Sequence, residues 1–178
     1  MKKLILGSAI VAVLGVASSA MAAPNTGTVN FTGSVSTATC EVSVKDSSGT
    51  SVSTVNLGTI ANTAANGAQV AFKLVPQTPD CLAKAQANVS WSSPTLTDVG
   101  IANAAAGGTN AFMNLVGTNA VKQGAEAAIK AGATSLDYNS TKGGIASFDY
   151  SAWLSKPSTG TLTAGPFSAS ASYVIAYK

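Results

Sequence analysis

Residues 27–44, GTVNFTGSVSTATCEVSV, have the composition of extended chain, yet they cannot be one strand of one sheet. Through Val35 the apolar or compact residues are odd-numbered: Val29, Phe31, Gly33 and Val35. From Ala38 they are even-numbered: Ala38, Cys40, Val42 and Val44. Side chains alternate faces along a strand, so this change of parity near Ser36-Thr37 sends every later side chain to the opposite face. Strands are ordinarily about five or six residues long, and this run has eighteen. It therefore reads as two consecutive strands with different partners.

Short alternating segments continue to the C-terminus, divided by Gly, Asn, Ser and Pro. Val55 and Leu57 end one before Gly58. Val70, Phe72 and Leu74 form a second, closed by the turn at 76–79, and Val89 and Trp91 mark a third, ended by Pro94. Residues 112–116 are a fourth, and Phe148, Tyr150, Ala152 and Leu154 a fifth, ended by Pro157. The last carries Phe167, Ala169, Ala171, Tyr173, Ile175 and Tyr177 on one parity. With the opening run, this is the strand count of an antiparallel immunoglobulin-like sandwich. Residues 121–131 compete as a helix of about two turns, which Gly124 weakens. The Ala/Gly/Asn-rich tract 100–110 is expected to be a surface loop. Trp91 and Trp153 are candidates to line a sugar site, but both are expected in the core, the usual place for a sandwich tryptophan.

Residues 1–22 stand apart. Lys2 and Lys3 precede an apolar stretch, 4–16, too short to span a bilayer. Ala20-Met21-Ala22 then supplies the small-x-small pattern of signal-peptidase cleavage. The chain is read as exported, with residues 1–22 a signal peptide, 23–36 an N-terminal extension and 37–178 a single domain large enough for a substantial core. Once Lys2 and Lys3 are removed, eight lysines face seven carboxylates, a formal charge of +1. That balance gives no electrostatic footprint for nucleic acid, and nothing in the mature chain points to stable membrane insertion. Cys40 and Cys81 are the two cysteines, and in an oxidising compartment they are expected to pair. Charged residues make up 10%, which suits a subunit covered by copies of itself better than a freely soluble monomer.

Catalytic chemistry finds little purchase. The chain has no histidine, so a Ser-His-Asp arrangement is excluded, and the expected disulfide removes a cysteine nucleophile. No Cys/His metal spacing, Asp-rich calcium loop or glycine-rich phosphate loop is present, and no cofactor is implied. The carboxylates Glu41, Asp46, Asp80, Asp98, Glu126, Asp137 and Asp149 are scattered singly. An enzyme is not the reading these residues support.

The first half of the opening run has no preceding strand to pair with, and it lies outside the Cys40–Cys81 loop; it is either an extra edge strand on its own domain or an arm for another molecule. A sandwich short of one strand exposes an apolar groove and unpaired backbone. A strand from the next copy, hydrogen-bonded along its length and inserting alternate side chains, completes such a fold. That contact is head-to-tail and non-closing, so it builds a filament. Gly33 suits a place where two backbones approach closely.

The sequence resembles the structural pilins of Gram-negative chaperone–usher fimbriae over essentially its whole length. The resemblance is carried by G-T-V-N-F-T-G-S-V (27–35) with Cys40 shortly after, V-N-L-G (55–58), V-A-F-K-L (70–74) leading to Asp80-Cys81, and the ending A-G-P-F-S-A-S-A-S-Y-V-I-A-Y-K, with Gly165 fourteenth from the C-terminus and Tyr177 penultimate. It implies an all-β fold: an incomplete immunoglobulin-like sandwich of six strands, lacking the last, plus an N-terminal donor-strand extension. Val29, Phe31, Gly33 and Val35 would enter the groove of a neighbouring subunit. Gly165, Phe167, Tyr173, Ile175, Tyr177 and Lys178 would belong to the strand that forms this subunit's own groove and that a periplasmic chaperone grips. The implied partners are other copies of the chain, that chaperone and an outer-membrane usher, and the implied destination is the cell surface, by way of the periplasm.

Within that family, D-C-L-A-K-A-Q-A-N-V-S-W-S (80–92) and S-F-D-Y-S-A-W-L (147–154) are similar to adhesive major subunits of intestinal-pathogen fimbriae, which bind host glycoconjugates. Arginine, the usual bidentate partner of a sugar carboxylate, is absent. Lys122, Lys130, Lys142 and Lys156 are the candidate cationic contacts. A minor adaptor pilin and a stand-alone secreted carbohydrate-binding module remain as alternatives.

Overall fold

The computed structural model describes residues 27–33, as backbone, and residues 40–178. The expected signal peptide and the donor position Val35 lie outside the described residues. Among the described residues ten strands form two five-stranded sheets. The first runs β3 (Thr54–Gly58), β1 (Gly27–Gly33), β10 (Phe167–Tyr177), β5 (Gln86–Ser92), β8 (Ser135–Asn139). The second runs β2 (Val42–Asp46), β4 (Val70–Pro76), β9 (Phe148–Ser155), β7 (Phe112–Gly117), β6 (Ile101–Ala102). Neighbouring strands are antiparallel except β1 and β10, which are parallel.

The parity break in the opening run is a change of sheet. β1 belongs to the first sheet and β2, a few residues later, to the second, so the run does serve two different sheets. Cys40 lies just before β2, and its disulfide to Cys81 fixes that entry point against the single helical turn α1 (Pro79–Leu82), with Cα atoms 5.9 Å apart. Both cysteines are buried.

The two sheets close on an aromatic centre supplied by five strands. Phe72 of β4 stacks on Tyr150 of β9 at 5.5 Å, and Trp91 of β5 meets Tyr150 edge-on at 5.1 Å. Tyr173 of β10 lies 5.5 Å from Trp91, and Tyr138 of β8 packs edge-on against Phe148 at 4.9 Å. Edge-to-face and offset contacts of this kind add about 0.5–1.5 kcal/mol each beyond area burial.

Four features depart from what the sequence suggested. The tract 100–110 is not all loop: Ile101 is fully buried in β6, and Thr109 is buried as well. Residues 121–131 make no two-turn helix, but one 3-10 turn, η1 (Gly124–Ala127). Gly124 takes φ +58°, and the following chain straightens so that Ile129 N–H donates to Leu115 O of β7 at 2.8 Å. Tertiary pairing with the sheet edge thus overrides weak helical propensity. Trp153 is not a core residue, because its position on β9 faces outward, half-buried, whereas Trp91 is in the core. Finally, β8 is a strand beyond the segments read from the sequence; its Leu136 and Tyr138 alternate with exposed neighbours and are buried.

Candidate functional site

β10 is the longest strand, and its two halves have different partners on its two edges. Its residues 172–177 pair antiparallel with β5, and its residues 167–173 pair in parallel with β1, Gly27 opposite Phe167 through Gly33 opposite Tyr173. On its other edge β1 pairs antiparallel with β3, Val29 standing opposite Val55. β3 and β10 are therefore neighbours only through β1. The slot between them is one strand wide, and its walls are apolar: Val55 and Leu57 from β3, and Phe167, Ala169, Ala171, Tyr173 and Ile175 from β10 are all buried. Strict alternation, five inward residues in odd positions, is what places them on one wall.

Register positions across the slot are complementary in size. Val29 stands opposite Ala169 and Phe31 opposite Ala171, whereas Gly33 stands opposite Tyr173.

Other residues singled out from the sequence fall around this slot. Gly165 precedes β10 with φ +150°, in a place where a Cβ would come within 2.8 Å of the Gly108 carbonyl carbon and the Thr109 nitrogen. Its role is therefore set by local packing, since only glycine combines that φ with that approach. Tyr177 is half-buried, 6.2 Å from Phe148, at the mouth of a cavity of about 550 Å³ beside the disulfide. Lys178 extends the β10–β5 pairing, its N–H donating to Gln86 O at 2.9 Å, and its ammonium lies 3.4 Å from Asp137. A hydrogen bond from Asn88, and after it Lys178, holds the Asp137 carboxyl below its ordinary range.

All four tyrosines, Tyr138, Tyr150, Tyr173 and Tyr177, are raised above the ordinary phenol value by burial, Tyr150 and Tyr177 to about 12. They serve as packing groups, neutral throughout the physiological range. The lysines Lys122, Lys130, Lys142 and Lys156 are exposed and not brought together. Lys130 lines an outward groove beside Trp153. The β3 wall of the slot was also missed, although the alternation of Val55 and Leu57 signalled an inward face.

Among the described residues no group of three His, Cys, Asp or Glu side chains could hold a metal ion, and no helix is long and apolar enough to cross a membrane.

Comparison with known proteins agrees with this architecture. A family profile described as fimbrial protein matches residues 29–178. The K99 fimbrial protein of Escherichia coli is 39% identical over 165 residues, covering 88% of this chain and 89% of that protein. The crystal structure of the P pilus rod subunit PapA shares the fold, with a TM-score of 0.50 at 21% identity, over 79% of this chain and all of that one. The match begins inside β1 and runs to the last residue, so it takes in both the strand that fills the slot and the strands that wall it. The chain belongs to the fimbrial protein family.

Proposed function

We propose that this protein is a fimbrial shaft subunit that polymerises by donor-strand exchange, residues 27–35 of one copy filling the β3–β10 slot of the next. The observation that carries the reading is the position of β1 between two strands that otherwise have no contact along that edge. In a single chain the segment lies in its own slot. Every copy has the same slot and the same segment, so exchange between copies needs no new complementarity, which is the low-cost logic of swapped elements. Head-to-tail repetition of that exchange gives a filament.

An open slot offers unpaired backbone and an apolar trough to any strand nearby. The reading therefore includes a periplasmic chaperone that covers β10 until an outer-membrane usher passes the subunit on, and delivery to the cell surface after removal of residues 1–22. It also includes a contribution to adhesion to host cells. Low charge supports burial among copies, and the disulfide supports an oxidising route.

The test is a mature chain lacking residues 23–36, mixed with a synthetic peptide of residues 25–35. A heat-resistant one-to-one complex is expected, with aggregation in the peptide's absence. A truncated chain that is a stable monomer and ignores the peptide overturns the proposal, because its sandwich is then complete without the arm.

A further inference from the structure

We propose that Asn103 is a positioning residue of the β3–β10 slot: its side-chain amide holds the first half of β10 in line for an incoming strand. This deepens the exchange reading and rests on it.

β10 is longer than the neighbour on its inner edge. β5 reaches only residues 172–177, whereas β1 lies along 167–173 on the other edge. The edge that β5 leaves over the first half of β10 is taken by residues 103–104. Ser168 N–H donates to Asn103 Oδ1 at 2.9 Å, and Ser168 O accepts from Ala104 N–H at 2.7 Å. The N–H and C=O of a strand residue point to the same edge, so Asn103 and Ala104 satisfy Ser168 as a neighbouring strand would. The opposite edge of the same stretch faces the slot, where Gly27 and Thr28 of β1 stand in register with Phe167 and Ser168.

The Asn103 amide is fully used. Its oxygen also accepts from Ala105 N–H at 2.9 Å, and its nitrogen donates to Thr109 O and to Pro166 O, each at 2.8 Å. An asparagine side chain has two acceptor sites and two donors, so all four are matched. Thr109 N–H gives Pro166 O a second donor at 3.1 Å. Pro166 has no N–H, so its carbonyl is the one backbone group by which it can be tied. Gly108 leaves the space for this arrangement, since a Cβ there would collide with Asn103 Nδ2 and Pro166 O. One side chain thus ties its own turn, the buried Thr109 and the entry to β10 together. The consequence falls on the slot. When the arm leaves, residues 167–171 lose β1, and the pairing they keep is the one at 103–104. Asn103 therefore sets whether Phe167, Ala169 and Ala171 still present one apolar wall to the next strand. The second half of β10 needs no such support, because β5 stays paired with it.

The experiment uses the mature chain, refolded from urea with an excess of labelled peptide of residues 25–35 that competes with its own arm. Retention of the peptide is read by a chase with unlabelled peptide, and amide hydrogen exchange is followed along β10 by mass spectrometry. Asn103→Ala should release the peptide at least about tenfold faster than the unsubstituted chain, because one wall of the slot loses its hydrogen bonds. Exchange should rise at least about tenfold at 167–171 and stay near its original level at 172–177. Gly108→Ala keeps Asn103 but drives a methyl group into its amide. It should act in the same direction, and it keeps the test decisive if Asn103→Ala fails to fold. Ile129→Val, a small truncation of a buried residue beside β7, is the control for general destabilisation. Exchange that rises equally along β10 in a folded variant, or peptide release no faster than in Ile129→Val, overturns the assignment. An unsubstituted chain that never takes up the peptide refutes the exchange reading, while the hydrogen-exchange comparison still decides the role of Asn103. Uptake by the unsubstituted chain with unchanged release in both variants refutes this proposal alone.

Discussion

Gly33 of β1 stands opposite Tyr173 of β10 in the parallel pair, and the Tyr173 ring lies 5.5 Å from Trp91 in the core. A position of β1 without a side chain thus stands opposite the largest residue in the stretch of β10 paired with it, a residue already committed to the aromatic centre. This pairing sets the position of β1 along β10, because a shift of one residue reverses the faces of every later position.

Gly33→Trp should therefore stop the arm from seating. The expected outcome is loss of heat-resistant oligomers on gels run without boiling, with the rest of the sandwich intact by circular dichroism. An undiminished oligomer ladder would show that Gly33 and Tyr173 do not meet in the assembled fibre.

Reducing the disulfide should weaken the domain without dissolving it. Cys40 and Cys81 are separated by 41 residues, and the loop-entropy model gives a bridge of that span about 4 kcal/mol. Urea unfolding of Cys40→Ser/Cys81→Ser should show a lowered midpoint and a somewhat steeper slope, because the uncrosslinked denatured chain is less compact and exposes more surface. The site of the effect is the entry to β2, so the β4–β9 pairing is expected to persist until global unfolding.

Gly165→Ala should cost about 2 kcal/mol, from strain at positive φ together with the close approach to the Gly108–Thr109 backbone. For a domain of this size that is a fall of roughly 5 °C in Tm. Gly160→Ala makes a useful reference: its φ is +84°, yet a Cβ there meets nothing within 4 Å, so backbone strain acts alone and the loss is smaller.

Alkaline pH should destabilise the fold through tyrosine. Burial raises all four phenols above the ordinary value of 10.0, so the folded state holds protons that the unfolded state releases. The stability they contribute is fully present below pH 10 and is lost as pH rises toward about 12, where Tyr150 and Tyr177 ionise in the fold. Tyrosinate absorbance should accordingly show no residue titrating at the ordinary value in the native chain, and urea midpoints should fall across that window. A normal titration of any one tyrosine would show that it is not packed as described.

The alternation of residues was enough to read most of the framework. The buried wall of β10, the inward faces of β4 and β9, and the pairing of the two cysteines all follow from period-two patterning and from export, which are properties local to the chain. The break of parity between Val35 and Ala38 announced two partners for one run. That the partners are opposite sheets was decided by tertiary structure, since only the arrangement of β1 beside β10 and β2 beside β4 gives the reversal its meaning. Residues 121–131 failed as a helix for the same reason: Ile129 gains a backbone partner on β7 that local propensity cannot anticipate. Trp153 shows the limit most plainly. Its sequence neighbourhood matches that of a core tryptophan, but its parity on β9 is the outward one, opposite Asn114, and a groove exists there only because the 98–99 turn and the η1 segment, distant in sequence, meet above the sheet. Local chemistry determined which residues are strand and which face is apolar. Which faces are shared, and what they enclose, depended on long-range packing.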